Sequence, residues 1–361
     1  MHENKRGVAL LMTLSVILLL SIALMKTFES RTVEVKHLEN NLNYFRAVTL
    51  SRSSFRLLLT FIQETGVYSL SQYAKQFQGM PIPLEDLGED ITISNLKVES
   101  LDHRFYLNQR LESGKERAIA LQSLIEHIKT KESEGAAFYL SDEQVPNFMS
   151  AVNDWVDFDS ELDRKIDYGS GGEDYSEASP SFNVKNREFE YLSEVKLLPS
   201  FQQLELTNQQ LLTYFRVFKR STEPQESIDI NLASTQEIID FLAIYEALSP
   251  RIYNNRQEIA ARAKEQDTAG SQYSLEAKYE GDIITYRNNA WDPKLEGIIG
   301  PNLTSKEREL FSFRTSLLSI QYDFYAGRTG IRVQATLELS YTKDNKKNQL
   351  KSIKILRYSV N

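Results

Sequence analysis

Cysteine is missing from all 361 residues, which excludes disulfides, thiolate nucleophiles and cysteine-ligated metal. A chain without thiols is compatible with an oxidising compartment but does not require one. Histidine is scarce too: His2, His37, His103 and His127 fall in four unrelated stretches, with neither metal-ligand spacing nor a nucleophile partner. An enzymatic reading finds no constellation to build on. Positive charge is in deficit, with a net charge of −8 and a pI near 5.3, against the basic surface expected of a general nucleic-acid binder. The stretch "INLASTQEII" and the helices after it share the layout of helix-hairpin-helix modules. The glycines that such hairpins present to phosphates are missing from "EALSPRIY" between them, so no nucleic-acid partner is expected.

Two more absences shape the N-terminus. Charge is missing from Val8 to Met25, and glycine and proline are missing from Val8 to Thr65. The first run makes a helix of roughly 27 Å, close to the ~30 Å of a bilayer's hydrocarbon. Lys5 and Arg6 on its short flank favour a cytoplasmic N-terminus. The second predicts one helix of about 58 residues, ending at Gly66. Past the bilayer its apolar residues Val35, Leu38, Leu42, Phe45, Val48, Phe55, Leu59 and Ile62 return in three- and four-residue steps. A signal anchor followed by a stalk or coiled coil would fit. So would a helix whose far half lies against a globular head.

Beyond Gly66 the chain reads as a sheet interrupted by helices. Ile91, Ile93, Val98, Leu101, Phe105 and Leu107 partly alternate, with a turn at Asp102-His103, and predict one or two antiparallel strands within 66–110. The C-terminal 311–361 supplies the remaining strands, with one turn near Ala326–Gly330 and another in "TKDNKKNQ". Between them, 111–310 reads as an inserted helical domain. In "ERAIALQSLIEHIKT", Ala118, Leu121, Leu124, Ile125 and Ile128 share a face, and Ser234 with Glu237 forms a capping box. "EQVPNFMSAVNDWVDFD", "REFEYLSEVKLLP", "TNQQLLTYFRVFK", "STQEIIDFLAIYEAL" and "RQEIAARAKEQ" continue the helical pattern. Tyr322, Phe324 and Tyr325 read as sheet packing, and Trp155 and Trp291 as core anchors. The fold class is α+β: a long N-terminal helix on a small antiparallel sheet, with a large inserted all-α domain.

A short basic leader ending in Gly7, directly before an apolar helix, resembles the prepilin signal of type IV pilins and type II secretion pseudopilins. Met12 occupies the fifth mature position, where most of those families carry Glu; its absence resembles the K-type minor pseudopilins of type II secretion. "AVNDWVDFDSELD", "NREFEYLSEVKLLPSF" and "IDINLASTQEIIDFLA" are similar to that family's helix-to-acidic-loop, "sel" and "inLnta" patterns, in the same order. The resemblance implies a leader of residues 1–7, cut between Gly7 and Val8 by a prepilin peptidase that methylates the new N-terminus. It further implies a pilin helix over 8–65 anchored once in the bacterial inner membrane and a periplasmic head. Its partners would be other minor pseudopilins in a tip complex and the inner-membrane secretion platform. No catalysis is implied. A minor pilin or adhesin of a type IV pilus, or a signal-anchored periplasmic binding module or enzyme, remains the alternative.

The acidic loop 154–177 gathers Asp154, Asp157, Asp159, Glu161, Asp163, Asp167, Glu173, Asp174 and Glu177 against only Arg164 and Lys165. Such crowding repels unless water or a cation relieves it, and calcium takes six to eight oxygens from loops of this kind. It is not an EF-hand, because Leu162 stands where the turn glycine belongs and no Glu closes the loop. A solvated acidic loop is the plain reading. The family resemblance adds calcium as cofactor, with Asp157, Asp159, Glu161, Asp163, Asp167, Glu173 and Asp174 as candidate ligands. The leader yields the first test: mass spectrometry of membrane-extracted chain should find a methylated N-terminus at Val8, and Gly7→Leu should leave residues 1–7 attached.

Overall fold

The computed structural model describes residues 3–111, 115–132, 143–156, 186–219, 226–230, 232–247, 249–268, 304–312, 315–341 and 350–360, with the side chains of all but 3–11 and 264–268. Helix α1 (Glu3–Thr65) runs 63 residues without a break. It stops where glycine permits: Gly66 adopts φ +89°, a conformation that side chains with a Cβ resist. Helix α2 (Val67–Gln76) comes directly after it and buries Val67, Leu70 and Ala74, spaced three and four apart.

Five strands form one antiparallel sheet: β1 (Ile82–Pro83), β2 (Ile91–Ser100) and, after the helical segment, three C-terminal strands. The helical segment first brings a short strand β3 (Phe105–Tyr106), then α3 (Glu116–Glu132) and α4 (Gln144–Val156). A 3-10 turn (Leu192–Leu197) leads to α5 (Pro199–Gln203), α6 (Asn208–Tyr214), β4 (Phe215–Arg216) and β5 (Ile228–Asp229). Helices α7 (Thr235–Ala243), α8 (Pro250–Thr268) and α9 (Ser305–Glu309) and strand β6 (Phe311–Ser312) complete it. Strands β7 (Leu317–Ala326), β8 (Thr329–Tyr341) and β9 (Leu350–Val360) then extend the sheet in the order β1-β2-β7-β8-β9. The architecture is the α+β one expected from the sequence.

Two apolar cores result. One lies between α1, α2 and the sheet, with Phe55, Leu58, Ile62, Ile91, Ile93, Tyr322, Phe324, Val333 and Leu337 among its members. Each such side chain removed from water contributes about 1.5–3 kcal/mol. The other core holds the helical segment together and contains all five residues expected on one face of α3. The capping box forms as expected: Glu237 N–H donates to Ser234 Oγ at 3.2 Å, and Ser234 N–H donates to Glu237 Oε2 at 2.6 Å.

Five expectations change. Phe105 and Leu107, grouped with the first strands of the sheet, belong to the second core, because β3 pairs in parallel with β4 rather than with β2. Asp102-His103 is a turn, closed by Arg104 N–H to Leu101 O at 3.2 Å, but it leads out of the sheet instead of joining two of its strands. The helical segment also carries the parallel pairs β3–β4 and β5–β6 of two residues each, so it is not purely α. The helical pattern of "TNQQLLTYFRVFK" holds only to Tyr214, since Phe215 continues as strand. Of the aromatic trio, Tyr322 and Phe324 are buried, whereas Tyr325 is 38% exposed. Its ring covers Gly330, where an added Cβ would stand 2.7 Å from the ring edge.

One polar contact ties α1 to the sheet. Tyr322, wholly buried, meets Ser54 Oγ at 2.9 Å and donates toward Ser51 O at 3.3 Å. Burial raises the Tyr322 phenol far above its ordinary range, so it stays a neutral donor. Tyr322→Phe should lower stability by about 1 kcal/mol in denaturant unfolding, and adding Ser54→Ala should cost little more. Fully additive losses would show that the two hydroxyls do not act on each other.

Candidate functional site

The site follows from how α1 divides. Ala47, Ser51, Ser54, Phe55, Leu58 and Ile62 are buried against the head, but every described side chain from Met12 to Arg46 is exposed. The helix therefore projects from the head over residues 3–46, about 65 Å at 1.5 Å per residue. Met12 is 66% exposed, Leu18 62%, and Phe28 70%. Water would not tolerate such a surface, and the first half of this helix is long and apolar enough to cross a membrane once. Its hydroxyls are accommodated within the helix: Ser21 donates to Ile17 O at 2.9 Å and Thr27 to Ala23 O at 2.8 Å. Neither leaves an unmet hydroxyl donor on the apolar surface. The backbone passes Gly7 and Val8 as uninterrupted helix.

Where the helical segment joins the sheet, a second arrangement stands out. Asp102, fully buried, accepts from Ser316 N–H at 2.5 Å, Leu317 N–H at 3.0 Å and Thr315 Oγ1 at 3.3 Å. Ser100 Oγ lies 2.6 Å from Thr315 Oγ1, and Leu101 N–H donates to Leu317 O at 2.8 Å. The chain thus leaves the sheet and returns to it through one hydrogen-bonded neck. Beside it, His103 is drawn down to about 4 by burial, with Arg104 adding to the effect, so it is neutral at neutral pH. Behind the neck, Glu226 takes Arg117 Nη1 on both oxygens, at 2.9 and 3.1 Å, and also the Tyr106 N–H at 3.0 Å. Asn108 bridges Phe189 and Val217, while Asn153 binds both backbone groups of Leu111. Buried polar side chains satisfied this fully fix loop positions.

Nothing in the sequence pattern singles out Asp102 as a ligand for backbone amides. A lone Asp at the end of a strand looks like any turn former, and its acceptor role depends on amides more than 200 residues away. Gly7 and Val8 lie together at the start of α1, with Met12 one turn on. The candidate calcium ligands Asp157, Asp159, Glu161, Asp163, Asp167, Glu173 and Asp174 lie outside the described residues. The stems of that loop do meet: Trp155 stacks on Phe189 with centroids 5.3 Å apart, and Arg187 N–H donates to Trp155 O at 2.9 Å. Among the described residues, no group of three or more His, Asp or Glu is placed to hold a metal ion.

No family model matches the sequence, and no curated protein does. Among solved structures, a chain in the crystal structure of the GspK-GspI-GspJ complex from the enterotoxigenic Escherichia coli type 2 secretion system is similar. The match covers 87% of this chain and 99% of the other, at a TM-score of 0.47 and 12% identity.

The neck can be tested directly. Asp102→Ala leaves one buried and one partly buried amide without their acceptor and should cost on the order of 3 kcal/mol. Asp102→Asn keeps one acceptor oxygen and should cost less. Hydrogen exchange should accelerate at Ser316 and Leu317 in both variants before it changes in α3 or α7.

Proposed function

We propose that this chain is a K-type minor pseudopilin of type II secretion, a structural subunit that caps the tip of a short periplasmic filament and promotes export of folded proteins across the outer membrane. One observation carries the reading: a single helix whose apolar N-terminal part projects unpacked, while its C-terminal part forms a core with an antiparallel sheet. Such a helix serves as membrane anchor before assembly and as packing element within a filament. In this reading a prepilin peptidase cuts between Gly7 and Val8 on the cytoplasmic side of the inner membrane, leaving the head in the periplasm. Companion minor pseudopilins cover the rest of the helix, and the inner-membrane secretion platform supplies the docking point. The acidic loop would take calcium to relieve its crowded carboxylates. The role calls for no catalytic residue and no nucleic acid.

Met12 supports the tip position. A carboxylate there would neutralise the N-terminal amine of a neighbouring subunit, and a subunit with nothing above it has no use for one. Met12→Ala should retain secretion, because the span stays apolar. Met12→Glu should not raise filament yield, since a lone charge at bilayer depth costs roughly 2.5–3.5 kcal/mol or forces protonation. Both variants would be compared by secretion and subunit crosslinking at matched expression. Repeated self-crosslinks along filaments, with higher filament yield from Met12→Glu, would exclude the tip position even if the leader is cut as expected.

A further inference from the structure

From the end of its apolar span to the head, α1 carries one apolar stripe with one charge in it. At about 100° per residue, Leu24, Phe28, Val35, Leu38, Leu42 and Phe45 fall within an arc of about 100°, in a heptad spacing. They are 52–70% exposed. Ala47, Ser51, Ser54, Phe55, Leu58 and Ile62, which pack on the head, lie about half a turn round from this stripe, so the head cannot cover it. Beyond Phe45 the same side becomes polar, with Thr49, Ser53, Arg56 and Thr60. The stripe is thus confined to the projecting part of the helix. Arg31 sits near the middle of the arc, exposed, at the heptad position matching Leu24, Leu38 and Phe45. No hydrogen bond or ion pair holds it among the described residues.

We infer that this stripe docks one parallel helix of a different polypeptide anchored in the same membrane, and that Arg31 selects that helix by requiring a carboxylate opposite it. The inference rests on α1 crossing a membrane, which makes anchors of like orientation parallel. In a parallel pair equivalent heptad positions face each other. Two copies of this chain would set guanidinium against guanidinium inside an otherwise apolar seam, an arrangement that disfavours self-pairing. A companion with Asp or Glu at that level turns the same position into a charge-assisted bidentate contact. The residue that weakens homotypic pairing is therefore the one that specifies the companion.

Because the chain has no cysteine, a single Leu38→Cys reports seam contacts without background. Two forms of the full chain, distinguished by tags and both carrying Leu38→Cys, would be reconstituted in phosphatidylcholine vesicles. One keeps Arg31 and the other has Arg31→Glu. Oxidation should give mixed disulfide dimers about tenfold above either self-dimer, and Arg31→Leu should raise self-dimers by a similar factor. Val33→Cys, on the far side of the helix, should crosslink poorly in every combination. Mixed and self-dimers in the statistical 1:2:1 ratio, or self-dimers insensitive to Arg31→Leu, would overturn the inference while leaving the anchored reading intact. Release of the chain by carbonate washing would overturn the anchor and the inference together.

Discussion

The structure depends on the contact between residues 47–62 of α1 and one face of the antiparallel sheet. Ile91, Ile93, Phe324, Val333 and Leu337 would face water without that helix, and the helix would present Phe55, Leu58 and Ile62 to water without the sheet. Neither half is stable alone, because a single sheet with one apolar face needs a second layer. The Tyr322 hydroxyl adds direction to this non-directional attraction. Its reach to Ser54 and Ser51 fixes how far α1 can slide or rotate on β7. Once the helix is seated there, its length carries the remaining residues away from the head.

The large helical segment is compatible with this core because it enters and leaves at neighbouring points. Strands β2 and β7 are hydrogen-bonded partners, with Ser100 opposite Leu318. An insertion whose ends are already adjacent asks the sheet for no rearrangement, and the cost of closing a loop grows only slowly with its length. Asp102 supplies what geometry alone does not. By binding the amides of Ser316, just before β7, and of Leu317, its first residue, it satisfies donors that lie past the end of the β2–β7 ladder. The sheet and the helical segment can therefore keep separate apolar cores while sharing one polar joint.

How much of this was legible in the sequence depended on the range of the interactions. The end of α1 could be read because Gly66 lacks a Cβ, and the buried face of α3 because its period of three and four is local. The C-terminal strands showed their alternation for the same reason. Phe105 and Leu107 were misplaced because alternation reveals that a residue is buried, not which core receives it. The helical pattern of "REFEYLSEVKLLP" covers Leu192–Leu197 but does not distinguish its 3-10 form, and the two-residue pairs β3–β4 and β5–β6 have no period long enough to register. Of the candidate site, the exposed apolar helix was legible from composition. The neck was not, because Asp102 and Ser316 meet only after the intervening helices fold.

The projecting part of α1 poses a different physical problem. From Thr27 to Arg46 it is helical, exposed and rich in residues that form helices poorly alone, including Thr27, Thr32, Val33 and Val35. An isolated peptide of that length would be marginal in water, because the first turn is costly to nucleate. Here no nucleation is needed. In the membrane-anchored reading, lipid compels every backbone group of the apolar span to bond internally and so supplies a formed helix on one side, and the packed residues 47–62 supply one on the other. Helix then only has to propagate between two existing ends. The result is a stiff link of about 30 Å that sets the distance between the apolar span and the head by rise per residue rather than by contacts of its own.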